Sequence, residues 1–91
     1  MNVEMLNDNV LVTELTDDLM VNGVATMYDS EAPYMFCSVV KSVTGVFDEG
    51  TVLVIRRYAK EEFLPGYYFI SEKDIRCVVP EEVYNNLVIK S

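Results

Sequence analysis

Five short β-rich runs divide this chain, and no stretch between them sustains a 3.6-residue apolar period. The runs lie at residues 9–15, 35–43, 51–58, 67–71 and 75–79. The first is built on Val10-Leu11-Val12, and the most apolar is Val52-Leu53-Val54-Ile55. Turn formers separate them: Thr44-Gly45, Asp48-Glu49-Gly50, Leu64-Pro65-Gly66 and the tight Glu72-Lys73-Asp74 connection. Short strands with closely spaced turns predict a small all-β barrel. The run at 35–43 mixes apolar and polar residues without strict alternation, which suits a barrel strand partly buried on both faces. Residues 59–66 read as a charged connection. Pro80-Glu81-Glu82 opens a short helix through Asn86, and residues 87–90 read as one more strand.

One stretch does not fit a scaffold. Residues 16–34 predict a long loop between the first two strands, rich in Asp17, Asp18, Asn22, Gly23, Asp29, Ser30 and Pro33. Loops longer than roughly 15 residues are uncommon in compact domains and are usually functional or disordered. This one carries Leu19, Met20, Val21, Val24 and Met27, which a merely solvated loop does not need. An apolar centre in a polar loop points to a segment that meets a partner.

Composition narrows the partner. Ninety-one residues make one domain, of a size at which many chains are completed by oligomerisation. A net charge of −8 argues against nucleic acid or an anionic membrane. The opening residues have no basic start and no apolar stretch of signal-peptide type, so a cytoplasmic protein is expected. There is no histidine, and no metal site or cofactor is expected. The pairs Asp17-Asp18 and Glu61-Glu62 adjoin no nucleophile and read as solvated charge. Arg56, Arg57 and Lys60 form the one basic cluster, followed at once by Glu61 and Glu62. The chain is therefore not expected to be an enzyme. Tyr67-Tyr68-Phe69 reads as core. Cys37 and Cys77 sit in apolar surroundings and read as reduced, buried, small hydrophobes, with a disulfide left open.

Taken in order, these pieces resemble a co-chaperonin of the GroES type. Leu6, Asp8 and Val10-Leu11-Val12 are similar to the family's start. Gly23-Val24-Ala25-Thr26-Met27 resembles its mobile loop, where glycine precedes a short hydrophobic motif. Gly50-Thr51-Val52-Leu53-Val54 resembles the family's Gly-Asp-x-Val strand, and Tyr68-Phe69-Ile70-Ser71-Glu72-Lys73-Asp74-Ile75 its closing strands and turn. Tyr58 falls where the family often places a tyrosine facing the cavity. The resemblance covers residues 1–79.

It implies a GroES-like barrel in a homoheptameric ring that caps a chaperonin cylinder and assists ATP-dependent protein folding. Gly23 to Met27 would bind the chaperonin's apical domains, with Leu19, Met20 and Val21 as secondary anchors. The folding substrate would sit in the closed chamber, and ATP would be bound by the partner. The first strand of one subunit is expected to pair with the last strand of the next. The chain departs from the family in having Asn22-Gly23 for a double glycine, no roof hairpin between the second and third strands, and an extension at 80–91. The missing roof hairpin resembles reduced, phage-encoded members and predicts an open roof. The alternative is a small acidic β-barrel binding module, or a phage structural component, with a flexible binding loop.

Overall fold

A computed structural model describes residues 8–89. The chain forms β1 (Asn9–Glu14), β2 (Leu19–Val21), β3 (Val24–Thr26), β4 (Tyr34–Ser42), β5 (Val52–Arg56), β6 (Glu61–Leu64), β7 (Tyr67–Ser71) and β8 (Ile75–Val79), then α1 (Glu81–Leu87). Single 3-10 turns at Arg57–Ala59 and Glu72–Asp74 join β5 to β6 and β7 to β8. The fold is therefore mostly β, as expected.

The strands pair as one antiparallel sheet in the order β6-β7-β1-β4-β5-β8, with β2 and β3 as a separate hairpin. Among the described residues this order ends on two edges, β6 and β8, so hydrogen bonding does not close a barrel. One face carries Val10, Val12, Met35, Cys37, Val39, Leu53, Ile55 and Ile70, all buried. Among the described residues, Phe47, Ala59, Tyr68 and Ile75 pack against that face. Its burial requires the sheet to curl and its turns to close over the opening, which Phe47 and Ala59 do. The second cluster, Leu19, Val52 and Tyr84, joins the hairpin, the sheet and α1.

One expectation holds here and three change. β4 is buried at Met35, Cys37 and Val39 and half-buried on its other face at Phe36, Ser38 and Val40, as expected, with Phe36 covered by the Tyr84 ring at 5.3 Å. The expected connection at 59–66 contains β6, since a two-residue Pro65-Gly66 turn sets residues 61–64 antiparallel to β7. β1 lies inside the sheet, between β4 and β7, so it has no free edge to offer a neighbouring subunit. Cys37 is buried, with its thiol pushed up to about 12 by burial, but Cys77 is exposed because β8 is an edge strand open on its outer face. Both thiols are free.

α1 begins one residue after Pro80, as the sequence indicates, with Glu81 and Glu82 placed where the helix dipole favours acids. Instead of a further strand, Val88 makes a single bridge to Leu19, and Lys90 lies outside the described residues. Residues 43–51 form turns and no strand. There Gly50 donates its N–H to Val39 O at 2.8 Å, and Phe47 packs beneath the turn.

Candidate functional site

The stretch read as a long loop is a hairpin on two anchored limbs. Asn22 and Gly23 both have positive φ, 51° and 79°. That is the geometry of a two-residue turn whose twist matches the flanking strands, and Asn-Gly favours it. Leu19 pairs with Thr26, Met20 with Ala25 and Val21 with Val24. Alternation puts Leu19, Val21, Val24 and Thr26 on one face of the hairpin, and Met20 with Ala25 on the other.

The candidate contact residues separate by burial. Val24 and Met27 are 64% and 65% exposed, and Met20 and Val21 are exposed to a lesser degree. Gly23, in the turn, and Ala25 and Thr26, on β3, are exposed as well. Leu19 is 4% exposed and belongs to the core cluster of Val52 and Tyr84, so it anchors the hairpin to its own domain and offers nothing to a partner.

The entering limb is held by apolar packing and two hydrogen bonds. Leu19 packs with Tyr84 and bridges to Val88. Ile89 donates its N–H to Asp18 O at 2.9 Å. The Tyr84 hydroxyl donates to Asp17 Oδ2 at 3.0 Å, and burial followed by this bond pushes the phenol's pKa up.

The leaving limb is held by polar contacts centred on Arg57. Its Nη1 reaches Glu14 Oε2 at 2.7 Å, its Nε donates to Ala32 O at 2.8 Å, and its Nη2 to Asp29 O at 3.0 Å. The Arg57 N–H donates to Pro33 O at 2.8 Å. Tyr28 closes the set, its hydroxyl donating to Glu14 Oε2 at 2.6 Å and its N–H to Asp18 Oδ1 at 2.7 Å. Partial burial pushes the Glu14 carboxyl up. The Tyr28 and Arg57 hydrogen bonds and the Arg57 and Lys60 charges outweigh it, leaving the carboxyl below its ordinary 4.5. Under the two limbs lies a cavity of about 310 Å³, bounded by Leu15, Leu19, Met27, Tyr28, Phe36 and Arg57.

Glu14, Tyr28, Arg57 and Tyr84 carry this geometry, and the sequence reading assigned none of them to it. The Arg57–Glu14 pair spans 43 residues of chain, a separation that no local pattern encodes. Tyr58 is 76% exposed on the 3-10 turn after β5, where its hydroxyl accepts from Arg56 Nη1 at 3.1 Å. The Arg56 guanidinium carbon lies 5.6 Å from the Tyr34 ring centre and 5.7 Å from that of Tyr58.

Among the described residues no group of three or more His, Cys, Asp or Glu side chains is placed to hold a metal ion, and no helix is long and apolar enough to cross a membrane. Comparison of the chain with protein families, with curated proteins and with solved structures finds no match.

Proposed function

We propose that this chain is a co-chaperonin subunit of the GroES type, which docks on a chaperonin through the tip of its β2–β3 hairpin and helps to close the folding chamber. One observation carries the reading: Val24 stands exposed beside the turn of a built hairpin and Met27 stands exposed one residue past its second strand, at the place where the resembled family has its binding motif. Magnitudes are consistent with a weak contact repeated many times. Burying two such side chains contributes about 3–6 kcal/mol. Orientation and ordering costs take much of that for a single copy. Several hairpins on one ring gain avidity without further contacts.

The GroES-like barrel is part of the same proposal. Ring closure would use the edges that the sheet leaves open. β6 presents Glu61 and Glu62 along its edge, a charge pattern that discourages pairing. β8 presents Cys77 and Val78 instead, so β8 is the edge that a neighbouring subunit would cover. The turn at 43–51 adds no strand above the sheet, which supports an open roof. Tyr58 would face the chamber, and the nucleotide would stay with the chaperonin.

The second reading is a small acidic protein-binding module or phage structural component with a flexible binding loop; it shares the exposed hairpin residues and requires no ring. Native mass spectrometry separates the two. The co-chaperonin reading expects a closed ring, sevenfold by resemblance, that adds to a chaperonin in the presence of ATP. A monomer at micromolar concentration that leaves the chaperonin's mass unchanged would overturn it.

A further inference from the structure

The extension at residues 80–89 lies against the hairpin, and it is the part of the described chain that the family resemblance leaves without a role. We infer that α1 is a clasp that sets the order of the contact hairpin, with Tyr84 as its positioning residue. The inference rests on the hairpin being the contact element.

Three observations carry it. First, α1 is seated independently of the hairpin. Its first turn lies on the β5 approach, where the Glu81 carboxylate comes so near Gly50 that a Cβ there would meet Oε2 at 2.6 Å. The Phe36 ring supports it from β4, 5.3 Å from the Tyr84 ring. Second, Tyr84 is the one buried residue of α1, and it makes both kinds of contact with the entering limb: its ring with Leu19, and its hydroxyl with Asp17. Third, the chain leaving α1 adds the Val88–Leu19 bridge and the Ile89 N–H to Asp18 O bond.

The direction of the effect also follows. The clasp covers Leu19 and leaves Val24 and Met27 exposed, so the hairpin reaches a partner without α1 moving. A three-residue by three-residue hairpin is marginal by itself. Held by α1, it is already in its binding geometry, and the ordering cost of a free loop is largely avoided. Loosening the clasp should lower the fraction of competent hairpins, and the apparent Kd rises by the inverse of that fraction.

Hydrogen exchange of the full chain, without any partner, tests this. Tyr84→Phe keeps the ring and removes the bond to Asp17; exchange of the hairpin amides should quicken about tenfold while β1 and β4 stay protected. Tyr84→Ala should quicken it by about a hundredfold or more. Asp17→Asn should reproduce Tyr84→Phe, and the double variant should add little further. If Tyr84→Ala does not fold, Tyr84→Phe decides. Hairpin amides already unprotected in the wild type, or unmoved in both Tyr84 variants, would overturn the clasp. So would equal quickening across the whole sheet. Titration against a chaperonin with ATP then adds a readout that a purely structural role would not match: Kd should rise by the inverse of the closed fraction that exchange reports. Tighter binding by Tyr84→Ala would overturn the inference, because α1 would then restrain the hairpin. A wild type that binds no chaperonin, yet shows the expected exchange pattern, would sink the proposed function and leave the clasp standing.

Discussion

The two limbs of the hairpin are held by different physics. The entering limb rests on packing: Leu19 buried with Tyr84 and Val52, and hydrogen bonds only at its rim. The leaving limb rests on charge: Arg57 bridges Glu14 and three backbone carbonyls across residues 28–33. Packing against Leu19 is indifferent to pH. An ion pair with both side chains partly exposed contributes less and responds to protonation. The comparison teaches that the contact tip can be steadied from two sides and released from one.

The largest expected effect comes from the apolar side. Leu19→Ala should cost about 2–5 kcal/mol in hairpin closure, because a cavity is left beside Tyr84 and Val52. Hydrogen exchange should show residues 17–26 opening while amides at 29–33 change little. The polar side is worth less. Arg57→Met keeps much of the stem and removes the guanidinium bonds, at a cost of about 1–3 kcal/mol; its effect should fall on residues 28–33 first. If either substitution frees both limbs equally, the two anchors are one unit and the comparison fails.

Acid gives the smallest effect and the sharpest contrast. The folded state holds the Glu14 carboxyl below its ordinary 4.5, so it favours the ionised form. The stabilisation is complete above that ordinary value and is lost as pH falls through the lowered one. As pH falls below 4.5, the leaving limb should loosen and Leu19 should stay packed. Fluorine-labelled tyrosine spectra would report this at Tyr28 against Tyr84. Simultaneous loss at both rings would show general acid unfolding.

Which of this was legible in the sequence depends on how local the cause is. β7 and β8 were read at their observed bounds and β1, β4 and β5 nearly so, because β-rich runs between turn residues are a local signal. β6 was missed because Glu61-Glu62 reads as solvent; as an edge strand it needs one partner only, and the Pro65-Gly66 turn supplies it. The hairpin has a local cue, Asn22-Gly23 flanked by Val21 and Val24, but the same two residues are equally common loop formers, and the three-residue strands beside them are too short to show alternation. Met20, Val21, Val24 and Met27 are exposed as a contact site requires, while Leu19 is not. Leu19 could not be sorted from its neighbours, since its partner Tyr84 lies 65 positions later in the chain. The role of Arg57 depended in the same way on Glu14, Asp29 and Ala32 being brought to it by the fold.

The central claim is that the exposed residues Val24 and Met27 bind a chaperonin. Chaperonin binding in the presence of ATP by the Val24→Asp, Met27→Asp double variant tests it most directly, with native mass and hydrogen exchange confirming that ring and hairpin are unchanged. Each side chain contributes about 1.5–3 kcal/mol when buried, and each aspartate adds a desolvation cost. Multiplied over a ring, the loss should leave no measurable binding, while the wild type binds. A double variant that binds as tightly as the wild type would contradict the account.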